Sequence, residues 1–550
     1  MKKLTIALLM LLTIQGLAQT VEKTFKVEHQ YINIPIESQQ ERQRVNFKVD
    51  GQAYTYNDIR IANNSVDYWT FIDVSKYMGK EFTLEFSYYV PGIERIYQSD
   101  LFVDQENLYQ EKLRPQLHFT TRRGWNNDPN GLVYYKGEYH LFYQHNPYEI
   151  NWGNMTWGHA VSKDLIHWEE LPIALEPDEL GTMFSGSAVI DYKNTTGFQQ
   201  GEEYPLVVTY TADKSNEKQH QCMAYSLDRG RTFTKYEGNP VIPAQRRFGS
   251  GHERDPKVFW YEPGKHWVLV MQDALNYSIY NSDDLKDWEY QSTVDAGFWE
   301  CPELFELPVD GKEKNKKWVL YGVQGIYLIG DFDGKVFTPE TEMLRYQVGG
   351  MTAAQTYNNE PDGRRLQIGW GHATYPGMPF AQSFTVVQEF RLETTRNGVR
   401  LMVEPVREIE QLHGKAHHFE NVYIGDEINE KLSAIQSPLL HIKATFEIVN
   451  AINFGMNING YRLNYNVATN KLNDHFLPLQ NKQLQLEVIV DKTLIEVYAN
   501  GGLIYWFDNY NEGDLDDFNI SLTRSKNGLN QDSKTLVKSL DIYELKSIWK

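Results

Sequence analysis

The sequence predicts an all-β protein: a five-bladed β-propeller followed by a C-terminal β-sandwich, with a small N-terminal β module. Three observations carry this: period-two alternation of apolar and polar residues, scarcity of long helical patterns, and a phrase that recurs at blade spacing. The alternation is clearest at 24–28, 132–135, 206–210 and 484–488, with Gly-, Asn- and Asp-containing breaks between runs. At about 150 residues per domain, a chain of 550 residues has room for three or four domains.

In chain order, Lys2 and Lys3 precede an apolar run over 4–14 and the small residues Gly16 and Ala18, the layout of a cleavable export signal over 1–18. The run has eleven residues, and crossing a bilayer takes about 20. An exported protein, periplasmic or extracellular, with no integral membrane segment is therefore expected. Residues 20–110 form a strand-rich stretch, including 31–36 and 81–86, read as a β module of unassigned role.

The propeller is expected over 115–405. Ser162-Lys163-Asp164-Leu165-Ile166-His167-Trp168 matches Ser282-Asp283-Asp284-Leu285-Lys286-Asp287-Trp288 at an offset of 120 residues. A weaker copy spans 226–233 and a fainter one ends at Phe337. The closing aromatics Trp168, Phe233, Trp288 and Phe337 lie 65, 55 and 49 residues apart, the period of four-stranded blades. Each copy reads as strand end, polar turn, then an aromatic opening the next strand. Residues 403–414 suggest a short charged linker or helix, and 415–550 a sandwich, in which 488–502 describe a hairpin followed by a second turn at Asn500-Gly501-Gly502.

Composition narrows the function. Lys and Arg number 54 against 73 Asp and Glu, a net charge of −19, which disfavours nucleic acid and anionic lipid surfaces as partners. Two cysteines, Cys222 and Cys301, provide no disulfide scaffold, so the 74 aromatic residues and the aliphatics must build the core. The sequence contains no H-E-x-x-H, C-x-x-C, P-loop or strand-to-helix G-x-G-x-x-G, so neither a metal nor a cofactor is expected. Phe184-Ser185-Gly186-Ser187 lacks the surroundings of a nucleophilic serine and reads as a polar strand end.

Carboxylates remain. Trp125-Asn126-Asn127-Asp128-Pro129-Asn130-Gly131 puts an acid in a turn-forming string. Arg254-Asp255-Pro256 sets a second against a cation, which should hold it ionised, and Trp299-Glu300-Cys301-Pro302 sets a third where partial desolvation should raise its pKa. One low-pKa and one high-pKa acid is the division of labour of glycosidic cleavage. Singly, each also reads as a turn, a surface ion pair or a strand end.

Together and in this order, with Asp128 and Asp255 127 residues apart and Glu300 a further 45 on, these motifs resemble glycoside hydrolase family 32, which contains invertases, inulinases, levanases and other β-fructofuranosidases. Tyr143-Gln144-His145-Asn146-Pro147, Trp152-Gly153, Trp157-Gly158-His159, Phe184-Ser185-Gly186-Ser187 and Ile368-Gly369-Trp370 agree with it. The resemblance covers 115–550; residues 20–110 resemble an extra module found on some Bacteroidetes-type members. It implies the propeller with the acids at the funnel end of its axis. Carried over, it implies Asp128 as nucleophile, Glu300 as general acid and base, and Asp255 as a transition-state stabiliser that holds sugar hydroxyls. Asn126, Asn127, Gln144, Ser185 and Arg254 would hydrogen-bond the sugar, with Trp152, Phe184 and Trp370 around it. Cys301 would tune the acid beside it rather than form a disulfide. One segment departs: where many members carry Asp-Phe-Tyr-Ala-Ala-Gln-Thr, this chain has Gly350-Met351-Thr352-Ala353-Ala354-Gln355-Thr356, without the acid and the tyrosine.

The implied activity is retaining hydrolysis of a neutral fructose-containing oligo- or polysaccharide, releasing fructose from chain ends. Endo-levanase and fructosyltransferase activities are the alternatives among enzymes, and a non-catalytic fructan-binding protein the alternative outside them.

Overall fold

The computed structural model describes residues 20–214, 218–511, 518–525 and 534–549; the expected export signal lies outside them. The chain divides into two compact units, the first ending at Phe102 and the second running Val103–Lys550. Residues 103–110 therefore belong with the second unit, not with the N-terminal module as expected.

The first unit holds two antiparallel sheets. One orders Val21–Lys26, Glu81–Phe86, Gln43–Val49 and Gln52–Ile59; the other orders Tyr68–Asp73, Tyr31–Ile36 and Tyr97–Ser99. Alternation places Val45 and Phe47 inside, while Tyr31–Ile36 is buried at every position, as a central strand covered on both faces must be.

The second unit contains the five blades. Their innermost strands are Gly124–Tyr135, Thr182–Ile190, Glu253–Tyr261, Glu303–Val309 and Met351–Thr356. Adjacent residues of one strand pack against different blades. In blade two, Val207 joins Val258 and Leu269 of blade three, whereas Val208 joins Phe142 and Trp157 of blade one. This is why the blade strands are apolar on both faces. Phe380–Ala381 pairs in parallel with Gly124–Trp125, tying the fifth blade's loop to the first blade.

The recurring phrase is the turn from third to fourth strand of a blade. Ser162, Ser226 and Ser282 each end a third strand. Asp164 Oδ1 accepts from the Ile166 and His167 amides at 3.1 and 2.9 Å, and Asp284 Oδ1 from those of Lys286 and Asp287 at 2.9 and 3.0 Å. The aspartate thus satisfies the turn amides that leave the ladder.

Residues 403–414 divide between strand Gly398–Pro405, a 3₁₀ turn at Arg407–Leu412 and the opening of sandwich strand His413–Tyr423. The sandwich pairs a six-stranded with a five-stranded sheet, and the expected hairpin is Gln483–Val490 with Leu494–Ala499. In the turn that follows, Gly502 has φ +78°, and a Cβ there would lie 1.7 Å from Val403 O, so only glycine lets this turn reach the last propeller strand. A buried cluster also joins sandwich to propeller: His118 meets Asp491 at 2.8 Å and Glu496 at 2.9 Å, all three with fully buried side chains. Glu496 further accepts from Gln388, Tyr498 and Tyr505. Among the described residues no helix is long and apolar enough to cross a membrane, and Cys222 and Cys301 are both free thiols.

Candidate active site

The three acids stand where the ladders of the inner strands break. Register shifts span Asn126/Pro129 in blade one, Met183/Gly186 in blade two, Arg254/Lys257 in blade three and Thr352/Gln355 in blade five. Asp128, Ser185, Asp255 and Ala353 fall inside these bulges, which turn their side chains out of the regular alternation. Proline contributes: Pro129 and Pro256 follow the aspartates and have no N–H to give the ladder. Asn127-Asp128-Pro129 is thus a bulge within a strand rather than the β-turn its composition suggested. In blade four, Glu300 and Cys301 precede the strand with φ of 59° and 44°, and Asp255 has φ 60°. Non-glycine residues in this region carry strain of the order of 1 kcal/mol each. Tyr277 Oη and the Val323 amide both donate to Glu300 O at 3.1 Å, holding that conformation.

These starts of the inner strands bring the acids together at one end of the axis. Ser185 Oγ donates to Asp128 Oδ2 at 2.6 Å, and Asn127 Nδ2 to Asp128 Oδ1 at 3.2 Å. Trp125 Nε1 orients that amide by donating to Asn127 Oδ1 at 3.1 Å. The Cys301 thiol lies 3.7 Å from both Asp128 Oδ2 and Asp255 Oδ2, and its amide donates to Asp255 Oδ2 at 3.2 Å. One S–H can serve only one carboxylate at a time, so the thiol links the two sites without neutralising either.

The electrostatics differ from the sequence expectation. Arg254 donates to Glu300 Oε1 through Nη2 and only approaches Asp255, with Nε 3.7 Å from Oδ2. Burial pushes Asp255 up to about 7, Arg254 opposing it and the charges of Asp128 and Glu300 adding to it. Burial also raises Asp128, offset in part by Ser185 and Asn127. The expected ion pair of Arg254 with Asp255 is present at 3.7 Å, but the guanidinium also binds Glu300, and burial outweighs the pair at Asp255, which is 7% exposed where Glu300 keeps 34% of its side chain exposed.

Of the expected sugar contacts, Asn127, Ser185 and Arg254 stand at the acids. Trp152 is exposed and meets Phe184 edge-on at 6.2 Å. Half-buried Trp370 meets Trp125 edge-on at 6.0 Å and stacks on His372 at 4.3 Å. Asn126 and Gln144 differ: both are buried in the blade, and Gln144 Nε2 donates to Met183 O at 2.8 Å, tying blade one to blade two. In the departing segment, Thr352 Oγ1 lies 2.7 Å from His372 Nε2. Gln355 bridges the Leu132 amide and Gly186 O at 3.0 and 2.9 Å, so the shared part of that motif joins three blades.

Sequence reasoning missed the support beneath the acids. Lys257 Nζ lies 3.0 Å from Glu303 Oε2, both side chains 2% exposed, and donates to Thr356 O at 2.7 Å. Thr356 Oγ1 donates to Glu303 and accepts from Arg365. A cavity of about 10 Å³, the size of one water, separates this layer from Asp255, Ser185 and Cys301. The available signal was a lysine and a glutamate, each between a proline and an apolar residue, two and three residues after the acids.

The family profile described as "Glycosyl hydrolases family 32 N-terminal domain" matches residues 118–405. A levanase of Bacillus subtilis (strain 168) is 40% identical over 498 residues, covering 80% of this chain and 72% of that protein. An extracellular exo-inulinase of Aspergillus niger is 36% identical over 371 residues, covering 57% of this chain and 68% of that protein. Among solved structures, exo-inulinase from Aspergillus awamori superposes with a TM-score of 0.71 at 29% identity, covering 80% of this chain and 100% of that one.

Proposed function

We propose that this chain, which belongs to glycosyl hydrolase family 32 and is a glycosidase of the β-fructofuranosidase type, is an exported retaining enzyme that releases fructose from the ends of β-fructans and fructo-oligosaccharides. The observation that carries the reading is the convergence of Asp128, Asp255 and Glu300 around the Cys301 thiol and the Arg254 guanidinium. Attack at chain ends is supported by relatives named exo-inulinase, and export by the Lys2-Lys3 and apolar N-terminus.

In this reading Asp128 attacks C2 of the terminal fructosyl unit while Glu300 gives its proton to the departing oxygen, leaving a fructosyl ester on Asp128. Glu300, now ionised, takes a proton from water, which attacks C2 and frees Asp128. Ser185 and Asn127 hold the attacking carboxylate by hydrogen bonds to both its oxygens. Asp255 accepts hydrogen bonds from sugar hydroxyls as charge develops on the ring. Asp255 is the acid that burial, with the charges of Asp128 and Glu300 adding to it, lifts to about 7, so this carboxyl exchanges its proton near neutral pH.

Incubation with sucrose, inulin and levan, with products resolved by size, tests this. Fructose as the first product from polymer is expected, initially as the β-anomer. An early ladder would instead indicate an endo-levanase, lengthened chains a transferase, and polymer binding without products a non-catalytic binder.

A further inference from the structure

We infer that the end of the propeller axis opposite the acids holds a second, non-catalytic site for a short neutral oligosaccharide, which, given the fructan reading above, is a segment of the same polymer. A cavity of about 580 Å³ opens there, lined by Tyr192, Lys193, Trp260, Glu262, Trp318 and Asn358 among others. That volume falls within the range of small-molecule sites. The inner strands Thr182–Ile190 and Glu253–Tyr261 carry Ser185 and Asp255 near their starts and reach this cavity at their ends. Five to seven residues of strand separate the two, roughly 20 Å. The bonded layer of Lys257, Glu303, Thr356 and Arg365 lies between them, so a ligand here cannot reach the reacting carboxylates.

The lining fits hydroxylated, uncharged rings. Trp260 is locked in place: its Nε1 donates to Glu262 at 2.5 Å, Trp267 packs edge-on at 5.1 Å, and Lys193 Nζ sits 5.1 Å from its ring centroid. Tyr192 is 49% exposed, with its ring braced by Tyr204 at 5.2 Å. Fixed aromatic surfaces of this kind bind the apolar faces of sugars at little entropic cost. Most charged lining groups face an opposite charge, Lys193 with Glu262, Glu306 with Lys316 outside the lining, and Arg364 with Glu360 and Glu408, while Arg365 donates to Thr356 and Tyr357, which leaves little field to select an ion. Asn358 commits its amide nitrogen to Ala188 O and Val258 O, so its oxygen remains an acceptor for a hydroxyl. Holding one stretch of polymer here raises the effective concentration of its other parts near the enzyme.

The test uses the full chain carrying Glu300→Gln, so that ligand survives. Calorimetric titration with a fructo-tetrasaccharide is expected to show two classes of site, and one after Tyr192→Ala and Trp260→Ala are added. Retardation in gels containing levan or inulin should weaken by about ten-fold. Tyr192→Ala alone, a change at an exposed side chain, should weaken it in the same direction and leave sucrose turnover of the otherwise native enzyme unchanged. A single class of site with unaltered retardation in both variants overturns the inference. Wild-type turnover of sucrose and polymer is scored separately: its loss would sink the fructosidase reading, while normal turnover with one site sinks only the axial site.

Discussion

Asp255→Asn isolates the cost of the charge that the cluster carries. Asp255 is 7% exposed, and burial, reinforced by Asp128 and Glu300, lifts it from its ordinary 3.8 to about 7 despite Arg254. Because the folded value lies above the unfolded one, the folded protein binds a proton between those values that the unfolded chain does not. This residue's contribution to stability therefore falls as pH rises from about 4 to about 7, and stays low above. The gap from 3.8 to about 7 corresponds to about 4 kcal/mol. The asparagine keeps the shape, can accept from the Cys301 amide through its oxygen, and removes the charge. For a unit the size of Val103–Lys550, 4 kcal/mol is a Tm rise of about 4 °C. Calorimetry of both proteins from pH 4 to 8.5 should show curves that coincide at the acidic end and separate toward neutrality, with the variant higher, while fructose release drops by at least about a hundred-fold. A variant no more stable than wild type at pH 8, or a difference equal at both ends, would refute the reasoning.

Three further outcomes are expected. Asp128→Asn and Glu300→Gln should each lower kcat by about a thousand-fold or more with oligosaccharide binding retained by calorimetry; near-normal turnover in either removes that residue from its role. Ser185→Ala deletes the 2.6 Å bond that offsets burial at Asp128, so the acidic limb of the kcat/KM profile should move to higher pH and kcat fall by about ten- to a hundred-fold. Burial alone would lower His118, but hydrogen bonds to Asp491 and Glu496 raise it to about 9. Its contribution is thus full below about 6.5 and is lost as pH rises through about 9, a loss of about 3 kcal/mol. Wild-type Tm should fall as pH rises from about 6.5 to about 9, and His118→Gln should start lower at pH 6 and show a smaller fall over the same range.

What the sequence determined by itself is what local chemistry writes into short stretches. Period-two alternation specifies strands, and a Ser and an Asp two residues later recur because each third-to-fourth strand turn needs the same side-chain acceptor for its amides. Asp-Pro wording marked Asp128 and Asp255 because proline cannot serve a ladder, although the wording alone did not distinguish a turn from the bulge that forms. Tertiary structure decided the electrostatics. Arg254 adjoins and pairs with Asp255, but its guanidinium also reaches Glu300 from another blade, and burial of Asp255 outweighs the pair that was expected to hold it ionised. Gln144 and Asn126 read as sugar contacts; both are buried, and the Gln144 amide nitrogen is bonded to a carbonyl of the neighbouring blade. Lys257 and Glu303, far apart in the chain, became partners only when blades three and four met at the axis. Charge and burial depend on neighbours from other blades, and the pleat of one strand cannot encode the distance to the next.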